Sequence, residues 1–89
     1  MRTVIIDGNS ISASEQLHDI LSSGLSFPCW YGRNFDALHD CLTDICEETS
    51  VIVRYFESMQ ANIGIKADIF RRVLIESSIE NPLLSVTIE

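Results

Sequence analysis

The chain has 89 residues and carries 13 Asp and Glu against 6 Lys and Arg, which gives a formal net charge of −7 and a pI near 4.6. This length has room for a single hydrophobic core, so we expect one domain over residues 1–89. The acidic balance argues against direct binding of nucleic acid, which requires a basic surface. It is compatible either with attraction of a basic protein or with simple solubility.

The hydropathy pattern and the cysteines indicate the compartment. No apolar run approaches the roughly 20 residues of a membrane span, and the first run is too short for a secretory signal. Cys29, Cys41 and Cys46 are odd in number and lack paired spacing. This arrangement indicates free thiols in a reducing environment, so we expect a cytoplasmic protein without membrane association.

The first predicted element is a strand over residues 3–6, a β-branched run that the turn signal DGN ends. Its lack of alternation favours a strand buried on both faces of a parallel sheet. A first helix follows, with Ser12 and Glu15 placed for a capping box and Ser14 as the alternative cap. Its apolar positions predict one buried face, formed by Leu17, Ile20, Leu21 and Leu25.

A second helix is predicted from Asn34 to about Glu47, after a loop over residues 28–32. One face is apolar and comprises Phe35, Leu38, Cys41, Leu42, Ile45 and Cys46. The opposite face comprises Asp36, Asp40, Thr43, Asp44 and Glu47. Carboxylates one turn apart repel each other by roughly a few tenths of a kcal/mol, so a face designed for stability alone would include a base. We interpret this acidic face as a binding surface, with a merely solvated face as the alternative.

The remaining chain predicts two strands and two helical segments. Residues 51–55 and 84–88 are β-rich runs, and residues 56–64 have the pattern of one or two helical turns. A longer helix over residues 66–78, with Phe70, Val73, Leu74 and Ser77 facing inward, ends before Asn81 and Pro82. The order β-α-α-β-α-α-β favours crossover connections and thus an α/β fold, a small three-stranded parallel sheet packed by about four helices.

Catalytic and metal sites are not supported by the residue pattern. Cys29 and His39 could meet through the loop, so a small enzyme that uses them is an alternative, but the local signatures of a catalytic Cys-His pair are absent. A zinc site from these two residues with His18 and Cys46 lacks close ligand spacing. A pair of carboxylates on one exposed helical face has two similar environments, whereas acid–base catalysis needs different pKa values. The sequence therefore predicts a protein that is not an enzyme and binds no cofactor or metal.

Trp30 and Tyr31 directly precede the acidic helix. Large aromatics beside charges are typical of binding hot spots, and a small cluster packed under the loop is the alternative. We expect Trp30 to face a partner and Tyr31 to pack inward. His39 lies at the edge of the acidic face, where partner contact and an ordinary surface histidine are equally compatible with the pattern.

Residues 28–43, PCWYGRNFDALHDCLT, resemble the signature of barstar-type ribonuclease inhibitors. The matching positions are Pro28, Trp30, Tyr31, Gly32, Asn34, Asp36, Ala37, Leu38, Asp40, Cys41, Leu42 and Thr43. The resemblance implies the same three-stranded fold and an inhibitor that plugs the active-site cleft of a small basic ribonuclease with its acidic helix and aromatic loop.

The resemblance also implies particular contact residues. By motif position, Asp40 takes the place of an RNA phosphate, and Asp36 is the second acidic contact. The other contact positions in this segment are Trp30, Asn34, His39, Thr43 and Asp44. Glu76 and Glu80 align with a further acidic contact region of the family.

Four departures from the family pattern bear on the target. His39 and Ile45 occupy positions where a Trp is expected, Arg33 replaces an acid, and Asp44 replaces a Gly. Losing large aromatics and adding a base changes complementarity and so specificity. The expected partner is a basic ribonuclease, either barnase-like or a diverged nuclease toxin for which this chain is the immunity protein. The alternative is a binding module of the same fold for a non-ribonuclease toxin or another basic protein. The free chain is expected to be a monomer.

Overall fold

The computed structural model describes residues 2–28 and 31–89 of the chain. The elements are β1 (Arg2–Asp7), a 3-10 turn (Gly8–Ser10), α1 (Ser14–Gly24), α2 (Phe35–Thr43), β2 (Thr49–Arg54), α3 (Phe56–Ile63), α4 (Ile65–Glu80) and β3 (Leu84–Ile88). The strands pair in parallel in the order β1-β2-β3. The predicted element order and the α/β class with a three-stranded parallel sheet and four helices are confirmed.

One face of the sheet packs against the helices and contributes to the hydrophobic core. Val4 pairs with Val51 and Ile6 with Val53, and all four side chains are buried. The intervening Ile5 is 52% exposed. The expectation that the first strand is buried on both faces is therefore wrong, because the helices cover only the face of Val4 and Ile6.

The helices close the core over that face. The largest side chains that are less than 2% exposed include Phe70, Ile6, Ile11, Leu17, Leu21, Leu38, Leu42, Met59 and Leu74. Burying each such side chain stabilises the fold by about 1.5–3 kcal/mol. The predicted inward faces of α1 and α4 are confirmed, although Ile20 and Val73 are only partly buried.

The amino-terminal cap of α1 differs from the prediction. The helix begins at Ser14, so Ala13 is the N-cap residue and Gln16 is the third helical residue. Oε1 of Gln16 accepts hydrogen bonds from the backbone N–H groups of Ser12 at 2.6 Å and Ala13 at 2.9 Å. The predicted capping box of Ser12 and Glu15 is therefore wrong, because the helix starts later and Gln16 reaches back instead.

α2 begins as predicted but ends earlier. Oδ1 of Asn34 accepts from the backbone N–H of Ala37 at 2.7 Å, which satisfies one of the free donors of the first turn. The helix ends at Thr43, whereas the sequence predicted helix to about Glu47. Ile45 is therefore half-buried in the loop, and Cys46 is exposed rather than on the predicted core face. Asp44 is the C-cap residue, and Glu47 lies beyond the helix.

The junction of β2 with α3 uses an unusual backbone conformation. Tyr55, which was predicted within the strand, has φ of 54° and lies between β2 and α3. The predicted helical turns form the eight-residue α3. Gly64 then separates α3 from α4 with φ of 65°, a conformation that glycine adopts without steric cost. Within the described part of the chain, no helix is long and apolar enough to cross a membrane.

Candidate protein-binding face

A cleft of about 470 Å³ lies between α2 and α4. Its lining residues are Phe35, Asp36, His39 and Asp40 from α2 and Ile69, Arg72, Val73 and Glu76 from α4. We call this feature the acidic cleft, and Asp36, Asp40 and Glu76 the cleft acids. All three cleft acids are exposed. The fold thus brings Glu76 to the same surface as two acids that are far from it in sequence.

The two aspartates of α2 lie one helical turn apart on its exposed side. Asp36 is in the first turn, where the positive end of the helix dipole favours a carboxylate. Asp40 is in the middle of the helix and receives no such compensation. The exposed carboxylates can accept hydrogen bonds from Arg or Lys of a partner, and such charge-assisted bonds are strong.

His39 and Glu80 join α2 to the end of α4. Nε2 of His39 lies 2.6 Å from Oε2 of Glu80. Both side chains are partly exposed, with 34% and 56% of their surface accessible. The structure therefore brings Glu80 beside the acidic cleft. It also pairs His39 with a residue of the same molecule, whereas the sequence was equally compatible with contact to another protein.

Two of the predicted contact residues also hold α2 in place. The Asn34 side chain caps the helix and donates through Nδ2 to the carbonyl of Gly32 at 3.3 Å. Oγ1 of Thr43 donates to the carbonyl of His39 at 3.0 Å. Asp44 is exposed at the C-cap and does not line the acidic cleft. These three residues therefore lie at the two ends of the helix.

A buried pair anchors the loop before α2. The Tyr31 hydroxyl lies 2.5 Å from Nδ1 of His18, and both residues are buried. The ring of Phe27 packs edge-on against Tyr31 at 5.0 Å between centroids, and Phe35 packs against His18 at 5.6 Å. The inward position predicted for Tyr31 is confirmed, whereas Trp30 and Cys29 lie outside the described residues.

Burial also sets the ionisation of this pair. It raises the pKa of Tyr31 to about 12, with a further contribution from Cys41. It lowers the pKa of His18, and the nearby Arg33 guanidinium acts in the same direction. The favoured state is therefore a neutral imidazole beside a protonated phenol. No local sequence pattern marks His18 as a structural residue, because its partner is 13 positions away.

Arg33 turns away from the acidic cleft. Its backbone has φ of 55°, and its Nη2 lies 2.5 Å from Oδ1 of Asp19 on α1. Nη2 also donates to the carbonyl of Glu15 at 3.4 Å. The base that replaces an acid of the family pattern therefore binds the protein's own first helix.

Groups that could support catalysis or metal binding are sparse in residues 2–28 and 31–89. No group of three or more His, Cys, Asp or Glu residues is arranged to hold a metal ion there. Burial raises the pKa of the half-buried Cys41 thiol, and the carboxylates of Asp44 and Asp40 add to the effect. A raised pKa disfavours the thiolate that a nucleophile or metal ligand requires. The site offers exposed carboxylates for binding.

The fold and the site together define a small α/β domain with an exposed acidic face. The family model that matches residues 1–82 is described as Barstar (barnase inhibitor). A Bacillus subtilis (strain 168) protein named "Putative ribonuclease inhibitor YrdF" is 41% identical over 81 residues, which cover 90% of this chain and 89% of that protein. The chain belongs to the barstar family, as its central motif predicted.

Proposed function

We propose that this protein inhibits a small basic ribonuclease by filling the active-site cleft of the enzyme, without chemistry of its own. The observation that carries the proposal is the convergence of Asp36, Asp40 and Glu76 on one exposed cleft. Membership of the barstar family and the name of the Bacillus subtilis relative support the same function. The whole chain then acts as one monomeric, cytoplasmic domain.

The proposed mechanism is electrostatic mimicry of the substrate. A ribonuclease holds the scissile phosphate with cationic side chains, and the carboxylate of Asp40 would occupy the phosphate position. Asp36 and Glu76 would bind the surrounding cations through charge-assisted hydrogen bonds. A carboxylate offers no phosphodiester bond to cleave, so the inhibitor blocks the site without being consumed.

The loop and the helix ends complete the proposed interface. Trp30 would cover the rim of the enzyme cleft, and the buried His18–Tyr31 pair fixes Tyr31, which leads into α2, before binding. Preorganisation of this kind lowers the entropy lost on association. We place Asn34, His39, Thr43, Asp44 and Glu80 at the periphery of the same interface.

A second candidate function is immunity against a non-ribonuclease toxin, or binding of another basic protein. The observation that favours it is the His39–Glu80 pair at 2.6 Å, at a position where the family pattern has Trp. A histidine held within the molecule offers less apolar contact area than an exposed Trp. Such a change suits a partner of different shape.

Binding and inhibition assays with Asp40→Ala test the proposal. The probes are purified barnase and the basic ribonuclease fraction of the source cell. Because we propose Asp40 as a hot-spot residue, Asp40→Ala should weaken binding by at least about 2 kcal/mol. This corresponds to a roughly 30-fold increase in Kd. The variant should remain folded because alanine is the better helix former. The matched control is Glu57→Ala, which removes an exposed acid of α3 outside the acidic cleft.

Three results would contradict parts of this proposal. Equal inhibition by the parent and Asp40→Ala would show that the site assignment is wrong. Loss of binding with Glu57→Ala as large as with Asp40→Ala would show that only net charge matters. Capture of a basic protein that is not a nuclease, with neither ribonuclease inhibited, would favour the second candidate function.

A further inference from the structure

We propose that Arg72 recognises a carboxylate that the target ribonuclease carries beside its phosphate-binding cations. The inference rests on the proposed function and deepens it, because it names an acidic group of the target that the cleft acids cannot bind. Arg72 would then be a specificity-determining residue, which selects among basic ribonucleases by the position of one acidic side chain.

The first observation is the location of Arg72. It is exposed and lines the acidic cleft together with the cleft acids. The volume of about 470 Å³ falls in the range of roughly 300–1,000 Å³ that is common for ligand sites, so side chains of a partner can enter. A partner that fills this cleft must therefore meet a guanidinium as well as carboxylates.

The second observation is that Arg72 has no intramolecular ion pair in the described ranges 2–28 and 31–89. Arg2, Arg33 and Arg71 each lie within 4.0 Å of a carboxylate oxygen, but Arg72 does not. Asp68, one turn before Arg72 on α4, is engaged with Gln60 Nε2 at 2.6 Å and with Arg71 at 3.5 Å. The acid one turn before Arg72 is therefore engaged elsewhere, and the cleft acids, including Glu76 one turn after it, form no ion pair with its guanidinium in the described ranges.

The positive charge of Arg72 is opposite to that of the cleft acids. A surface that met only cations would bind them better without a base, because Arg72 lowers the negative potential of the acidic cleft. Retaining the base is favourable when the partner has an acid opposite it. RNA cleavage needs a general base near the phosphate, and carboxylates commonly serve in that role. The planar fork of arginine matches a carboxylate through two parallel hydrogen bonds.

A simpler role for Arg72 would be to relieve repulsion among the cleft acids. The two roles predict opposite effects on binding when the charge is removed. If Arg72 only screens the acids, Arg72→Gln gives a more negative cleft and a tighter complex with a basic enzyme. If Arg72 binds a carboxylate, Arg72→Gln leaves that acid unpaired in the interface and weakens the complex.

The test compares Arg72→Gln with Arg54→Gln, an exposed arginine that lies at the end of β2 and does not line the acidic cleft. Each substitution makes the net charge one unit more negative. Association and dissociation rates are measured with purified barnase and with the basic ribonuclease fraction of the source cell. We expect Arg72→Gln to dissociate at least about tenfold faster from the inhibited enzyme and Arg54→Gln to behave as the parent.

Arg72→Lys refines the test because lysine keeps the charge but not the fork, so its dissociation rate should fall between those of the parent and Arg72→Gln. Urea unfolding of each variant verifies that it is folded. Unchanged or tighter binding by Arg72→Gln, with Asp40→Ala still impaired, would overturn this inference alone. Failure of the parent to inhibit either ribonuclease would overturn the proposed function and this inference together.

Discussion

At the scale of single residues, the buried pair of His18 and Tyr31 has the clearest energetic consequence. Burying a polar group is unfavourable unless it finds a hydrogen-bond partner, and these two side chains, 2.5 Å apart, satisfy each other. The pair links α1 to the loop that leads into α2. Its protonation state should therefore affect the stability of the domain.

We expect the free energy of unfolding to decrease as the pH falls below about 6.5. Burial lowers the pKa of His18 in the folded protein, and Arg33 adds to this effect, while Glu15 and Asp19 oppose it more weakly. The unfolded chain, whose histidine has a pKa near 6.5, thus binds more protons in this window. The contribution is fully present above pH 6.5 and is lost as the pH falls toward the lower pKa of the folded state.

Urea unfolding between pH 5 and pH 7.5 measures this dependence. In His18→Gln the decrease over this window should be smaller than in the parent, whatever the stability of the variant at neutral pH. His39→Gln is the control, because it changes the other histidine and leaves the buried pair intact. The same pH dependence in His18→Gln and the parent would contradict the assignment.

What the sequence predicts at this scale depends on how far the partner of a residue lies along the chain. The cap formed by Asn34 acts on Ala37, three residues away, and follows from local rules. Arg33, in the loop before α2, binds Asp19, which lies 14 positions away on α1. No local pattern indicates that pairing, so the sequence could identify Arg33 as a departure but not its contact.

At the scale of elements, Asn81 links the end of α4 to the end of α2. It is buried directly after α4, and its Nδ2 donates to the carbonyls of Leu42 and Ile45, each at 3.0 Å. Oδ1 of Asn81 accepts from the backbone N–H of Leu83 at 3.1 Å. One side chain thus binds the last turn of α2, the loop after it and the residue that precedes β3.

Asn81→Ala should reduce the free energy of unfolding by about 2–4 kcal/mol. The substitution removes a donor from the carbonyls of Leu42 and Ile45 and an acceptor from the N–H of Leu83, and each lost bond to a buried group costs about 1–3 kcal/mol. Urea unfolding monitored by circular dichroism measures the loss. Asn62→Ala is the control, since Asn62 is exposed and its side chain makes one hydrogen bond within the described residues, to the carbonyl of Ile11 at 3.0 Å. Equal losses in the two variants would contradict this role of Asn81.

The same contact explains why the end of α2 could not be predicted. Helical periodicity continues through Ile45 and Cys46, so the sequence favours a longer helix. Asn81 binds carbonyls at the end of that helix from 36 to 39 positions away, and tertiary hydrogen bonds override a local preference. The start of α2, fixed by Asn34, was predictable because its signal is local.

At the scale of the whole molecule, the order of the elements predicts the topology of the sheet. It does not predict the position of the acidic cleft. Crossover connections between strands separated by helices yield a parallel sheet, and this was predicted. The meeting of α2 with α4 depends on packing, so the presence of Arg72 beside the cleft acids was not predicted. Periodicity places Arg72 and Glu76 on one face of α4, but only the fold shows which helix that face meets.

The net charge of −7 would attract the proposed basic ribonuclease to the whole molecule as well as to the acidic cleft. Long-range attraction raises association rates, and salt screens it over a Debye length of about 10 Å at 0.1 M ionic strength. We expect the association rate with an inhibited ribonuclease to fall roughly tenfold or more between 10 mM and 500 mM salt. Stopped-flow mixing over this range measures the rate.

Two triple variants separate the local field of the acidic cleft from net charge. One replaces the three cleft acids by their amides, and the other replaces the exposed acids Glu48, Glu57 and Glu89 by Gln. Both variants lose the same number of charges, but only the first alters the proposed binding surface. Attraction decays with distance from the binding surface, so the cleft variant should lose most of the salt dependence and the other variant should keep most of it. Equal loss in the two variants would show that net charge alone accelerates association, and the acidic cleft would then contribute only after the proteins have met.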